Sequence, residues 1–236
     1  MWEHVLKKNV INFDEGELIL VHKPLDWTSF DVVARLRSMY GIKKIGHAGT
    51  LDPKATGLLI LCTGRLTKAI SEFQHLEKEY EGIIELGSVT KSFDSETEVI
   101  ETKPIINITS EKIEHVFQSF VGEYKQIPPM YSAVKKNGRR LYKYARKGKE
   151  VQREARLVTI KEFALLSYNE PYVRFRVVCS KGTYIRSLAH EVGQKLGCGA
   201  YLKELIRTRI GNFTLSEAIK VDEFHLLSEK QQVVHV

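Results

Sequence analysis

A chain of 236 residues with 43% hydrophobic and 28% charged side chains is ordinary for a globular protein and long enough to bury a substantial core. Its three cysteines, Cys62, Cys179 and Cys198, are odd in number and form no C-x-x-C pair, which excludes a disulfide framework; Cys62 and Cys179 sit in apolar surroundings and read as reduced core residues. No apolar run approaches the ~18 residues of a membrane span, and the N-terminus lacks the charged-then-apolar pattern of a leader, so a cytoplasmic protein is expected. The net charge of +7 favours an anionic partner such as nucleic acid. That charge is local: residues 135–156 hold ten Lys or Arg against two Glu, a balance of +8, so the rest of the chain sums to −1.

In chain order, the apolar run Leu18-Ile19-Leu20-Val21 within residues 16–22 predicts a strand, and residues 23–29 a turn. Ser29 is a candidate N-cap for a helix carrying Val32, Val33, Leu36 and Tyr40 on one face and ending at Gly41. Residues 46–57 then hold three glycines, a proline and two threonines in twelve positions, which describes a shaped loop rather than a helix or central strand. The apolar run 58–62, bounded by Gly57 and Gly64, suits a buried strand. A rigid loop feeding a core strand is a place to hold a reactive side chain. This one carries a single carboxylate, Asp52, and an imidazole, His47, with the cations Lys44 and Lys54 at its edges. Pro53 biases the Asp52 backbone away from the helical region. On residue types alone an ordinary Asp-Pro turn is the simpler reading.

Residues 68–76 predict a short helix and 78–87 a strand with Tyr80 near its start, a packing residue on residue type alone. A polar loop with Asp94 spans 90–98. Ile113, Val116, Phe117 and Phe120 make residues 110–120 an amphipathic helix, with Ser110 as candidate cap. The two prolines within 126–135 predict an extended segment. It leads into the basic stretch, where Lys135, Lys136, Arg139, Arg140, Lys143 and Arg146 are interleaved with Leu141, Tyr142 and Tyr144. Such a mixture tracks a phosphate backbone and offers stacking faces. Two strands follow at 156–166 and 172–180, the second with Val173, Phe175, Val177 and Cys179 alternating inward. A turn at 181–186 precedes a helix over 187–196 that ends at Gly197. His190-Glu191 is followed by Gln194 where a zinc motif needs a second His, so no metal is expected.

The exact string of residues 46–57, Gly-His-Ala-Gly-Thr-Leu-Asp-Pro-Lys-Ala-Thr-Gly, with Gly64, Thr67 and Lys68 downstream, closely resembles the catalytic motif of the TruB family of tRNA pseudouridine synthases. Further matches are Lys23-Pro24 with Thr28-Ser29, Lys78-x-Tyr80, the Thr90 and Asp94 loop, Pro128-Pro129 with Ser132-Ala133 and Lys135, residues 145–148, residues 179–188 and residues 197–208. The resemblance runs from about Gly16 to Phe224; the family usually has Gly where this chain has Asp26. It implies a pseudouridine synthase fold, an α+β or α/β mixture with a central, largely antiparallel mixed sheet flanked by helices and loops. It also implies a single catalytic domain over 1–236, a basic RNA-gripping insertion at about 126–156 and no C-terminal PUA domain.

By the same resemblance Asp52 is the catalytic aspartate and Arg186 its partner. Tyr80 stacks on the target base and is the proposed acceptor of the C2′ proton, and His47 helps hold the uridine outside its stem-loop. Tyr184 and Leu205 shape the pocket, Lys68 belongs to the substrate-binding set, and Lys135, Lys136, Arg139, Arg140, Lys143 and Arg146 grip the RNA backbone. The implied partner is the T-stem-loop of tRNA, acted on by a monomer without a guide RNA. The reaction breaks N1–C1′, turns the base and rejoins it through C5. No redox change occurs and no outside group enters, so no cofactor is expected. The base must be flipped out, and the carboxylate must be ionised. A guanidinium opposes the desolvation that would neutralise it and orients it in a fork geometry. Attack at C1′, addition at C6 and elimination to a glycal all remain open, and all require Asp52. The alternatives are a guide-RNA-dependent relative and a non-catalytic tRNA-binding or folding protein. A retaining glycoside hydrolase would need a second carboxylate that the loop does not offer.

Overall fold

The computed structural model describes residues 11–136 and 138–227; the expectations about the two chain ends concern residues 1–10 and 228–236, which lie outside them. The elements run β1 (Leu18–Lys23), α1 (Ser29–Tyr40), β2 (Ile45–His47), β3 (Ala55–Thr63), a 3-10 helix (Gly64–Ala69), α2 (Ile70–His75), β4 (Lys78–Leu86), β5 (Ser88–Thr90) and β6 (Val99–Thr102). There follow α3 (Ser110–Gln118), β7 (Gly122–Gln126), β8 (Lys135–Lys136), β9 (Arg139–Arg140), α4 (Leu141–Ala145), β10 (Arg156–Asn169) and β11 (Tyr172–Cys179). Last come α5 (Ile185–Leu196), β12 (Ala200–Ile210), β13 (Phe213–Thr214) and β14 (Ile219–Lys220). The architecture is α+β, with ten strands in a mixed, mostly antiparallel sheet. The chain forms two compact units, one from the residues up to Lys78 with those from Ile206 on, the other Glu79–Leu205.

In the first unit β1 pairs antiparallel with β3 from Leu18↔Cys62 to Lys23↔Gly57, β2 pairs antiparallel with β3, and β14 lies parallel to β1. Strand β3 is buried on both faces. Leu59 and Leu61 pack with Ile19, Val21 and α1's Val32, Val33 and Leu36; Leu58, Ile60 and Cys62 pack with Leu20, Phe73 and Ile210. A strand covered on both sides has no polar face, which is why residues 58–62 read as an unbroken apolar run. Each such side chain contributes about 1.5–3 kcal/mol. The strand starts earlier than the sequence predicts, at Ala55, so Gly57 lies inside it. Gly57 has φ +107°, and a Cβ there would sit 2.4 Å from the Arg207 carbonyl oxygen and 2.5 Å from its nitrogen. Only a glycine admits that approach.

Helix α1 is capped by Thr28 rather than by Ser29. The Thr28 hydroxyl accepts from the Asp31 amide at 3.1 Å, and the Asp31 carboxylate accepts from the Thr28 amide at 2.8 Å, a reciprocal capping box. Ser29 is buried, and its hydroxyl accepts from the Leu51 amide at 2.9 Å. The helix ends as predicted at Gly41, φ 62°. The predicted helix over 68–76 is the end of the 3-10 helix followed by α2.

In the second unit β11, β10 and β7 are antiparallel neighbours. Val173, Phe175, Val177 and Cys179 are buried, as their alternation predicts. Phe117 of α3 stacks on Phe163 of β10 with centroids 3.7 Å apart, and Phe120 and Phe175 meet Phe163 edge-on. The cap of α3 is Thr109, one residue before the predicted Ser110. Helix α5 starts at Ile185, two residues earlier than predicted, which puts Arg186 in its first turn. Gln126 and Arg156 are cross-strand partners, so residues 127–155 leave the sheet and return to it at one point. Residues 200–205 of β12 belong to this unit and 206–210 to the first.

Gly193 lies in the middle of α5, where alanine ordinarily gains about 1 kcal/mol over glycine. A Cβ at this position would lie 2.2 Å from the Ala200 nitrogen. Gly193→Ala is therefore expected to destabilise the protein by about 1–3 kcal/mol through overpacking. A higher urea midpoint in the alanine variant would contradict that close approach.

Candidate active site

Every turn of the loop between β2 and β3 is tied to the first unit. The Ala48 amide donates to the Ile60 carbonyl at 2.9 Å, and the Ala55 amide to the Asp52 carbonyl at 3.0 Å. Leu51 is buried and held by Ser29. The Pro53 carbonyl accepts from the Asp26 amide at 2.9 Å and from the Lys23 ammonium at 3.4 Å. Asp26 has φ 63°, the left-handed conformation that glycine adopts at little cost, and its carboxylate meets the Lys54 ammonium at 2.7 Å. Half-buried Asp52 thus sits on a backbone whose geometry is fixed from both sides.

Two buried cations do much of this. Lys23 is fully buried and donates to the carbonyls of Pro24 at 2.8 Å and Trp27 at 2.6 Å as well as Pro53. Burial lowers its pKa to about 8, against the pull of the Asp52 and then the Asp26 charge; Arg207 pushes the same way as burial. Arg207, only 1% exposed, donates from Nε to the Leu58 carbonyl at 2.7 Å and from Nη2 to the Gly49 carbonyl at 3.1 Å. His47 closes β2 and is half-buried. Burial first, then the Arg207 charge, holds its pKa below the ordinary value, opposed by the Gly49 backbone. At neutral pH His47 is therefore a neutral ring. Lys68 lies on the 3-10 helix with its side chain exposed.

In the second unit Arg186 is buried and makes an ion pair with buried Asp94 at 3.2 Å. Its guanidinium also donates to the Ser92 carbonyl at 3.4 Å and the Tyr131 carbonyl at 2.9 Å. Asp94 is fixed in turn, its Oδ1 accepting from the Glu96 amide at 3.0 Å and its carbonyl from the Thr90 hydroxyl at 2.7 Å. Tyr184 caps α5, and both its backbone groups bond to buried Gln126, at 2.7 and 3.0 Å. Tyr80 and Leu205 are each 9% exposed, on β4 and β12. Among the basic residues, Lys135, Arg139, Arg140, Lys143 and Arg146 are exposed, whereas Lys136 is paired with Glu154 at 3.3 Å. Arg139 lies over the Tyr144 ring and Arg146 over Tyr142, at 5.2 and 5.5 Å from the centroids.

The first unit thus holds His47, Asp52 and Lys68, and the second Tyr80, Tyr184, Arg186, Leu205 and the basic residues. Sequence reasoning assigned no role to Lys23, Arg207, Asp94 or Gln126. A lysine closing an apolar strand, followed by a proline that supplies no amide, was the one signal for Lys23. Arg207 and Asp94 stood inside matched motifs but had no spacing that marks a buried ion. Among the described residues no cluster of three or more His, Cys, Asp or Glu could hold a metal, and no helix is long and apolar enough to cross a membrane.

Compared with known proteins, the chain matches the model of the TruB family pseudouridylate synthase N-terminal domain over residues 37–185. It matches that of the tRNA pseudouridylate synthase B C-terminal domain over residues 186–233. It is 48% identical over 232 residues to the tRNA pseudouridine synthase B of Phocaeicola vulgatus, spanning 96% of this chain and 99% of that one. To the protein of that name from Chlorobaculum tepidum it is 52% identical over 214 residues, 89% of each chain. Among solved structures it is similar to a chain of a Cbf5-Nop10-Gar1 complex, with a TM-score of 0.71 and 32% identity over 92% of this chain. The present chain spans 56% of the length of that one.

The Asp94–Arg186 pair has side chains 5% and 4% exposed. Asp94→Asn is expected to lower stability by on the order of 3 kcal/mol, the cost of breaking a buried pair from one side. Turnover should fall more than tenfold with it. An unchanged urea midpoint would show that Arg186 is satisfied without Asp94.

Proposed function

The chain belongs to the TruB family of pseudouridylate synthases, and on that premise we propose that it isomerises the T-loop uridine of tRNA to pseudouridine without a guide RNA. The observation that carries this is the pinned loop, in which a single carboxylate, Asp52, is presented on a backbone held by Lys23, Asp26, Ser29 and Arg207. A reaction that breaks one bond and remakes another on the same base needs a carboxylate that does not wander between the two steps. Asp52 is the catalytic carboxylate in this proposal and Arg186 its guanidinium partner. His47, a neutral ring at working pH, helps keep the target base out of its stack, which must be broken before any chemistry. Tyr80 stacks on the flipped base and accepts the C2′ proton if the route runs through a glycal. Tyr184 and Leu205 wall the pocket and Lys68 contacts the substrate.

Residues 127–155, rooted at the Gln126–Arg156 pair, form the RNA-gripping insertion, with exposed Lys135, Arg139, Arg140, Lys143 and Arg146 as phosphate contacts and Lys136 shared with Glu154. We further propose one catalytic domain acting as a cytoplasmic monomer with neither metal nor cofactor. The alternative is a guide-dependent enzyme; the likeness to a chain of a Cbf5-Nop10-Gar1 complex speaks only for membership of a larger assembly. At 32% identity that is the more distant of the two resemblances.

The test is incubation with unmodified tRNA transcript followed by mapping of pseudouridine. Wild type should modify the T-loop uridine, and Asp52→Asn should abolish turnover while tRNA affinity stays within about threefold, because phosphate contacts dominate binding. Robust turnover by the Asn variant would remove Asp52 from its role.

Neutralising Lys135, Arg139, Arg140, Lys143 and Arg146 together should weaken tRNA binding and flatten its dependence on salt. The log–log slope should shrink by about 0.7–0.9 for each phosphate that no longer meets a cation. An unchanged slope would mean that this surface faces away from the RNA.

A further inference from the structure

We propose that Arg207 is a positioning residue for the reaction: its guanidinium staples the Gly49 carbonyl of the catalytic loop to the Leu58 carbonyl of the core strand and so fixes the segment that runs from His47 to Asp52. The inference rests on the function proposed above for that loop. Three observations carry it. The staple spans both sides of the loop, with bonds of 3.1 Å to Gly49 and 2.7 Å to Leu58. The arginine cannot drift, because its own backbone lies against Gly57, where a Cβ would come within 2.5 Å of it, and its side chain is buried. At the loop end of the staple Gly49 has φ +97°, a conformation that favours glycine, and a Cβ there would be in ordinary contact, 3.6 Å, with Arg207 Nη1.

The same guanidinium sets the charge next to His47. Around His47, α1 carries Arg37, which is bonded to the Ile45 carbonyl, the 3-10 helix carries exposed Arg65 and Lys68, and Lys44 precedes β2. Of these neighbouring cations, Arg207 is the one whose charge acts on the imidazole, reinforcing the effect of burial. A buried cation opposes protonation of His47 and so favours the neutral ring, with one N–H donor and one acceptor nitrogen, towards a base placed against it. Arg207 thus holds the loop's shape through its two hydrogen bonds, and its charge adds to the effect of burial on His47.

Two variants separate these effects. Arg207→Lys keeps the charge but cannot reach both carbonyls; kcat for pseudouridine formation should fall about tenfold, with KM for tRNA within about threefold and the acid limb of the pH profile unmoved. Arg207→Met loses both; kcat should fall about a hundredfold, and the midpoint of His47, followed by its ring-proton NMR signal, should move up towards the ordinary ~6.5. The direct measurement needs no variant: in wild type, His47 should titrate below ~6.5. Amides of Ala48 and Leu51 that exchange in wild type as fast as those of an unstructured loop would overturn the proposal even if both variants failed to fold. So would an Arg207→Met enzyme with kcat within about twofold of wild type. A wild type that makes no pseudouridine, yet whose Ala48 and Leu51 amides are protected and lose that protection in Arg207→Met, would leave the staple standing and sink the proposed function instead.

Discussion

An ammonium group removed from water has to be surrounded by acceptors or it costs several kcal/mol, and at Lys23 the acceptors are main-chain carbonyls. Pro24 and Trp27 supply two from the turn after β1, and Pro53 supplies the third from the catalytic loop. Satisfying the lysine therefore forces the turn and the loop to keep one relative geometry. Electrostatic attraction from Asp52 and Asp26 offsets part of the desolvation cost. That attraction is mutual, so the cation that shapes the loop also attracts the carboxylates of Asp52 and Asp26. A hydrophobic contact could have joined the same two segments, but without a preference for a carboxylate at their junction.

In the second unit Arg186 plays a comparable part. One guanidinium joins the first turn of α5, the loop around Ser92 and Asp94, and the start of the basic insertion at Tyr131. Gln126 grips the backbone of Tyr184, and the Ser187 hydroxyl donates to the Ile127 carbonyl at 3.2 Å. The root of the basic segment is thus bonded three times to the helix turn that carries Arg186. A displacement of that root under load from bound RNA would be felt at the arginine directly rather than through a chain of packed side chains. A planar, always-charged guanidinium suits this task, because its fixed fork of donors reaches acceptors on separate segments.

Periodicity and punctuation made most of the elements legible. The strand 58–62, the alternation in β11 and the stop of α1 at Gly41 all follow from side-chain pattern, because burial and backbone conformation are local demands. The errors fall where a local signal was outcompeted. Ser29 has the chemistry of a cap, but Thr28 has Asp31 three residues on to complete the box, and Ser29 is taken by Leu51. Gly57 reads as loop because nothing in its neighbours reveals that Arg207, 150 positions later, lies against it. Asp52 and His47 were legible only as a motif; their residue types alone describe a turn. Arg207 and Asp94 escaped because their partners lie far off in sequence, whereas Lys23 bonds the nearby carbonyls of Pro24 and Trp27 and escaped because only folding buries it.

Binding and chemistry are divided between two kinds of cation. Lys23, Arg186 and Arg207, which hold the segments assigned to catalysis in the proposed function, are buried and donate to carbonyls and a carboxylate, so salt screens them little. Those suited to phosphate are exposed, and two of them are already laid on tyrosine rings, Arg139 on Tyr144 and Arg146 on Tyr142. Resting a guanidinium on a ring restricts it before RNA arrives, which reduces the ordering cost of each phosphate interaction. Because everything outside residues 135–156 sums to −1, the attraction for a polyanion is concentrated in that one segment. A surface charged all over would hold tRNA in many orientations, most of them unproductive. One short basic segment, rooted by hydrogen bonds to the turn that bears Arg186, would on the proposed function restrict the orientations in which a polyanion is held.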